Sequence, residues 1–505
     1  MSPEILQARI ALEHLNRPFT AAARLGIILA AGHGKRIRSE TSKMLHQIWG
    51  KPSVTRVADG VAAGLESPDQ VIVVGIKGAE VARQLGARPG RRFAYQENPV
   101  LGLPAGTGDA VRVAIEAFAP ATTPRDVYIF LGDMGLLTAQ GVSQFRREFE
   151  AKPCDMMVLT GLYRGPAEQN YYGRIVRVPA ADREGCPSGA DQGKVIEIKE
   201  HKDLLGLPGD RPYEARYQER VYLFTREELL ELREINTGVV AFREEPLRTH
   251  VGRLRNNNVQ GELMLTDMVQ ILNQAGLVVR AMQAASEEEI LAFNNKRVWR
   301  QMEAIARRQA YQRLMDLITI VDEEDFFIAD EVIAQILALD QERGPLDIVV
   351  GKGAQVGPQV QLNRKVRLGD NCSLSGNVTL GVGVSIGPGA QLSTYVGQTM
   401  MLEDGVEVLS ANILKGNLRI GRDSRIESGV ILTGSDEHPL RIGRGVTIKG
   451  NTYLYGCMVD DGLLIEQSVI KGKHLVQVRR RDGSIQPIRY VRPQPEGLDS
   501  LAELP

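Results

Sequence analysis

Ile27-Ile28-Leu29-Ala30-Ala31 is an apolar run that stops at Gly32, after which the chain supplies Gly34, Arg36 and, past Ser42, Lys43. Glycines spaced this way let backbone N–H groups close on a polyphosphate, and the two cations neutralise its charge. The spacing is not the Walker pattern, because the glycines of Gly32-His33-Gly34-Lys35 are too close together and no Lys-Ser/Thr pair ends the loop. Nor is it G-x-G-x-x-G, because Ile37 stands at the third glycine position. A second chemical group ends another apolar run at Leu131-Gly132-Asp133. A carboxylate there suits Mg²⁺, which takes oxygen ligands and keeps water; capping of the next helix is the alternative role.

Strand-like runs at Gly26–Ala30, Gln70–Val74, Val127–Leu131, Met156–Leu162 and Gly238–Phe242 must carry these groups. They alternate with helical patterns at Ser53–Gly64, Gly108–Phe118 and Ala139–Glu150. Such alternation predicts an α/β, Rossmann-like domain with a mostly parallel sheet. Ligands bind beyond the carboxyl ends of such strands, where Gly32 and Asp133 both fall.

From Ser286 to about Arg313 the pattern predicts a long charged helix, followed by a second helix over Asp330–Ala338. Beyond Asp347 the period becomes six: Val350, Val356, Leu362, Leu368, Leu374, Leu380, Ile386 and Leu392 recur without a miss. Small or β-branched residues follow each by four, from Ala354 through Cys372 to Val396. The frame slips near Gln398 and resumes at Leu402, running on to Leu432 and then through Ile442, Ile448 and Leu454. Six-residue repeats of this type make the flat faces of a left-handed parallel β-helix, with Cys372 as core filling. Val476–Val491 reads as a hairpin around Asp482-Gly483. The expected division is an N-terminal helical extension (1–23), a nucleotide-handling domain (24–285), a helical linker arm (286–346), the β-helix (347–472) and a C-terminal hairpin and tail (473–505).

The 505 residues, 43% of them hydrophobic, suffice for two or three domains with ordinary cores. A net charge of -1 argues against a nucleic-acid partner. No apolar stretch approaches the run of about eighteen residues that a membrane-spanning helix needs, so no membrane partner is expected. Residues 1–24 mix Glu4, Arg9, Glu13 and Arg17 with apolar residues, an amphipathic helix pattern unlike a secretory signal. Cys154, Cys186, Cys372 and Cys457 are widely spaced and fit neither a disulfide framework nor a zinc site. The expected compartment is the cytoplasm.

Leu29-Ala30-Ala31-Gly32-x-Gly-x-Arg36 with Lys43 resembles the signature of sugar-phosphate nucleotidyltransferases. Tyr172-Gly173-Arg174-Ile175, Glu200-His201-Lys202-Asp203, Glu234-Ile235-Asn236-Thr237-Gly238, Asn258–Leu263 with Leu265-Thr266-Asp267, and Asn294-Asn295-Lys296-Arg297 then follow in order. This order resembles the bifunctional uridylyltransferase/acetyltransferase family of bacterial N-acetylglucosamine-1-phosphate uridylyltransferases over roughly Gly26 to Leu314. The resemblance implies that Gly173, Glu200 and Asn236 hold the sugar and that Asn294 joins Asp133 at the metal. Gln96 with Gly106-Thr107 resembles the base-reading segment, where an amide and backbone groups match the edge of uracil. Here the loop between them is longer, and Asp109 stands where the family often has His. Insertions at 180–192 and 204–232 also depart from the family length.

The family's acetyltransferase segments are absent from the solenoid, whose coils hold His438 alone, in the polar loop Asp436-Glu437-His438-Pro439. Acetyl transfer to an amine wants a general base, usually His, so the solenoid is expected to be structural and to assemble a homotrimer. The expected reaction makes a UDP-sugar, UDP-N-acetylglucosamine foremost, from UTP and a sugar 1-phosphate with Mg²⁺, relying on Arg36 and Lys43 for charge neutralisation. Glucose 1-phosphate, dTTP, and a non-catalytic sugar-nucleotide scaffold are the competing readings.

Overall fold

The computed structural model describes residues 3–32, 37–342 and 344–490, and the chain divides into two compact units, Met1–Glu303 and Ala304–Pro505.

In the first unit α1 (Pro3–Glu13) precedes β1 (Arg24–Ala30). Leu25, Ile27 and Leu29 point into one core and Ile28 and Ala30 into another, which is how a strand buried on both faces must alternate. Next come α2 (Ser53–Leu65), β2 (Gln70–Val74), β3 (Arg91–Tyr95), α3 (Thr107–Glu116), β4 (Asp126–Leu131), α4 (Ala139–Ala151) and β5 (Met156–Leu162). They are followed by β6 (Arg174–Arg177), β7 (Val195–Lys199), α5 (His201–Leu205), β8 (Tyr213–Tyr217), β9 (Arg220–Phe224), β10 (Glu234–Arg243) and β11 (Val279–Gln283). The sheet order is β11-β5-β10-β4-β1-β2-β3. β1 pairs parallel with β2 and β4, and β2 with β3. β10 runs antiparallel between β4 and β5, so the sheet is mixed at that position.

The helix expected over the N-terminus ends at Glu13, and the residues after it close the sheet's edge. Arg17 N–H donates to Arg91 O at 2.9 Å, and Asn16 Oδ1 accepts from Phe93 N–H at 2.6 Å. Those contacts satisfy edge groups of β3 that would otherwise be a template for pairing. The second insertion supplies the β8–β9 hairpin, whose Ala215, Tyr217 and Tyr222 share a small core with Val176, Ile196 and Leu229. Arg220 Nε reaches Asp182 Oδ2 at 2.9 Å and ties the first insertion to it.

The long helix expected from Ser286 starts only at Lys296, as α6 (Lys296–Leu314). Ile290 and Phe293 are buried, and Asn295 Oδ1 accepts from Val298 N–H at 3.0 Å in the manner of an N-cap.

In the second unit three parallel sheets form the faces of the left-handed β-helix. One inward column runs Val350, Leu368, Ile386, Val408, Ile426, Ile448, Ile465. A second runs Val356, Leu374, Leu392, Leu414, Leu432, Leu454, Ile470. The solenoid starts earlier than the repeat pattern shows, because Ile320 pairs with Val350 and Ile328 with Val356. Asp322–Asp325 and the helix Asp330–Gln341 interrupt the six-residue period there and hide the first coil. Val396, expected to point inward, is fully exposed at 105% because it sits in a loop that leaves the coil between Ser393 and Met400. Cys372 is buried in the core, which pushes its thiol up to about 12. Gln486 N–H donates to Val478 O, and Ile488 N–H to Leu464 O, both at 2.8 Å, so the terminal hairpin lies along the last coil.

Candidate active site

The carboxyl ends of β1 and β4 are stitched together: Gly132 N–H donates to Leu29 O at 2.9 Å. Leu29, Ala30 and Ala31 are buried where β1 ends, and Gly32 after them is exposed. The approach is tight, since a Cβ on Gly132 would stand 3.0 Å from Met44 Sδ and 3.2 Å from Ala30 Cβ. Asp133 follows at once. Lys43, in the short 3₁₀ turn Lys43–Leu45, aims its ammonium at Asp133 Oδ2 and donates to Asn294 Oδ1 at 2.5 Å. Lys43 and Asp133 are both largely buried, at 5% and 7% exposure. Asn294 is held in reach by its neighbours: His46 meets the rings of Phe293 and Trp299 at 6.2 and 5.2 Å, and Trp299 Nε1 donates to Gln47 O at 2.7 Å.

Asp133 Oδ1 is buried and makes no hydrogen bond with any described residue. An orphaned carboxylate oxygen beside an amide oxygen is a hard-donor set that fits Mg²⁺. Among the described residues no group of three or more His, Cys, Asp or Glu side chains is arranged to hold a metal, so an ion here would draw on Asp133, Asn294, water and substrate oxygens. Arg36 lies outside the described residues.

Gly173, Glu200 and Asn236 come together. A Cβ on Gly173 would stand 3.1 Å from Glu200 Oε1, so the glycine lets that carboxyl lie close against the backbone and a side chain here would press it aside. Asn236 N–H donates to Gly173 O at 2.9 Å. The register of β10 against β5 shifts between Asn236 and Val240, a bulge with Gly238 at φ +82°; bulges of this kind re-aim side chains beside sites. Burial pushes the Glu200 carboxyl up to about 7, with Asp203 and Asp267 adding to the rise. Asp267 itself is pushed up to about 6, chiefly by burial and then by Asp203. These acids line a cavity of about 590 Å³ with Lys199, Arg255 and Asn258.

Gln96 directly follows β3, and Gly106-Thr107 opens α3. Gly106 has φ +112°, and a Cβ there would stand 2.5 Å from Leu263 O. Gly108 N–H donates to Leu263 O at 2.8 Å, so the glycines let this turn seat on the 263–265 segment. The Thr107 hydroxyl accepts from Leu265 N–H at 3.1 Å and is thereby turned to that segment. Sequence reasoning marks Asp109 only as a departure from the family's His and gives no role to it or to Asn98, which both contact the Gln96 region; an acid directly after Gly-Thr-Gly at a helix start was the available signal.

An α/β sheet with a buried Lys–Asp pair and a glycine packed against a buried carboxyl at its strand ends defines a nucleotidyltransferase-type domain, here followed by a β-solenoid. Residues 26–222 match the MobA-like NTP transferase domain family. The chain is similar to the bifunctional GlmU proteins: it is 30% identical to that of Exiguobacterium sp. over 330 residues, 65% of this chain and 62% of that one. Against the bifunctional protein GlmU of Halalkalibacterium halodurans the identity is 33% over 339 residues, 66% of this chain and 64% of that one. Both alignments span less than two thirds of the relative's length. Among solved structures, a nucleotidyl transferase from Methanothermobacter thermautotroptrophicus overlaps 57% of this chain and 98% of that one at 11% identity and a TM-score of 0.35, a likeness too slight to bear on the site.

Proposed function

We propose that this chain joins UTP to a sugar 1-phosphate, N-acetylglucosamine 1-phosphate first among them, releasing pyrophosphate in a Mg²⁺-dependent reaction. The observation that carries the reading is the convergence of Lys43, Asp133 and Asn294 at the carboxyl end of β4, next to the strand that leads to Gly32. A phosphate oxygen of the sugar phosphate attacks the α-phosphorus of UTP, the new P–O bond replaces the bond to the β-phosphate bridge, and pyrophosphate leaves. That oxygen is already ionised, so no Ser, Cys or His nucleophile is needed, and positioning with charge neutralisation suffices. Lys43, and Arg36 on sequence grounds, supply cationic charge. Bound Mg²⁺, held by Asp133 and Asn294, would contribute further neutralisation at the phosphates. Gly173, Glu200 and Asn236 hold the sugar, its hydroxyls donating to the Glu200 carboxylate.

The solenoid is read as structural and without acetyl transfer. The ring of His438 packs edge-on to Tyr455 at 6.0 Å in an exposed loop. Ile413, Ile431 and Val469 lie exposed along one sheet, a face suited to the trimer that the resemblance implies. No described helix is long and apolar enough to cross a membrane, and a cytoplasmic location suits these substrates. Pyrophosphate release on mixing the protein with UTP or dTTP, Mg²⁺ and a panel of sugar 1-phosphates tests the reading; no release from any pair would refute it.

A further inference from the structure

Gln96 is 5% exposed, and its Nε2 donates to Gly106 O at 3.1 Å and to Asp109 Oδ2 at 2.9 Å. An ionised carboxylate only accepts, so the contact with Asp109 settles which end of the amide is nitrogen. Asn98 is held the same way: Nδ2 donates to Asp109 Oδ1 and to Pro104 O, both at 2.8 Å. Arg112 Nη2 adds a third donor to the carboxylate, reaching Oδ1 at 2.8 Å, and Asp109 is wholly buried beneath them. Both protons of the Gln96 amide are therefore spent inside the protein. Its Oε1 accepts no hydrogen bond from any described residue, and it is not a sealed atom.

We infer that Asp109 is a specificity-determining positioning residue: it turns the Gln96 carbonyl oxygen toward the nucleotide, so that the site takes a base offering an N–H there and refuses one offering a lone pair. The inference rests on the uridylyl reading above. Uracil and thymine carry a ring N–H between two carbonyls and satisfy Oε1. Cytosine carries an unprotonated ring nitrogen at the same place and sets lone pair against lone pair. Because the Gln96 N–H groups are already engaged, the exocyclic oxygen of uracil gains nothing from this amide, and recognition through Gln96 is one-sided.

The experiment compares kcat/KM for UTP and CTP in the wild type and in Asp109→Asn, whose shape is unchanged but whose own amide can donate and so frees Gln96 to turn over. The wild type should favour UTP, and the UTP-to-CTP ratio should fall at least about tenfold in Asp109→Asn, the scale of one mispaired buried group. The change should lie in KM, with kcat at saturating UTP held within about threefold, since the base is remote from the reacting phosphate. A merely structural role would lower both nucleotides together, leaving the ratio untouched, and that result overturns the proposal. Should Asp109→Asn fail to fold, wild-type use of 4-thio-UTP decides: it keeps the ring N–H but weakens the exocyclic acceptor, and is expected within about threefold of UTP. A loss above about tenfold would mean that the Gln96 nitrogen reads that acceptor, against the proposal. If the wild type releases pyrophosphate from no nucleotide, the uridylyl reading has failed. UDP and CDP binding by calorimetry in the two proteins then judges Asp109 separately, an unchanged ratio overturning it and a collapsed ratio supporting it.

Discussion

Lys43 aims its ammonium at Asp133, 90 residues further along the chain, and also reaches Asn294, 251 residues away. The pair is nearly closed to solvent, with side-chain exposures of 6% and 10%. Removing either partner leaves the other charged group buried, which costs about 3–5 kcal/mol in comparable pairs.

Asp133→Ala is therefore expected to lose Mg²⁺-dependent turnover and also to melt several degrees lower. Pyrophosphate release at saturating Mg²⁺ and a thermal melt by circular dichroism check the two effects. Turnover equal to wild type in this variant would exclude Asp133 from the site.

Lys43→Ala should lower kcat more than it raises KM for UTP, because a point charge at the reacting phosphates acts most strongly as charge moves toward the leaving group. Steady-state kinetics across UTP concentrations separate the terms. A defect confined to KM would place Lys43 in nucleotide binding alone.

Glu200 sets a pH dependence whose sign is fixed. Its carboxyl is pushed from the ordinary 4.5 to about 7 by burial, then by Asp203 and Asp267. The native state thus binds a proton that the unfolded chain has released. That stabilisation is fully present below 4.5 and is lost as pH rises through about 7. The Tm should fall between these values, and Glu200→Gln should flatten the fall. Sugar binding runs the other way, since only the carboxylate accepts from two hydroxyls. KM for the sugar 1-phosphate should rise as pH drops below about 7, while KM for UTP changes little.

Truncation should depend on the coil that the repeat pattern hides. A chain ending at 346 keeps Ile320 and Ile328 but loses Val350 and Val356, on which they pair. It should aggregate, whereas a chain ending at 315 should stay soluble and still release pyrophosphate. Light scattering of the two fragments checks this, and equal solubility would deny the first coil its role.

Much of this was legible from residue order. The six-residue period located the aliphatic columns from Val350 to Leu454, because a solenoid repeats one local environment and the sequence must repeat with it. The strands that carry Gly32 and Asp133 were equally visible as apolar runs between helical patterns. The first coil was not, because Asp322–Asp325 and a helix break the period. Nor was the start of α6, where burial of Ile290 and Phe293 overrides a charged, helix-like composition. The grouping of Lys43 with Asp133 and Asn294 depends on tertiary contacts around His46 and Trp299 that no local pattern encodes. Asp109 was visible as a departure from the expected residue, but its three donors arrive from the loop, the strand end and its own helix.

The solenoid's two long loops, Thr394–Thr399 and Ser435–Pro439, leave the stack between the same two sheets, two coils apart. Above and below them Leu392 still pairs with Leu414, and Leu432 with Leu454. Chain length at that corner is therefore uncoupled from the register of the core. A peptide spliced between Val396 and Gly397 would be displayed at the surface without shifting a single aliphatic rung, which makes this corner a natural attachment point for labels or affinity handles.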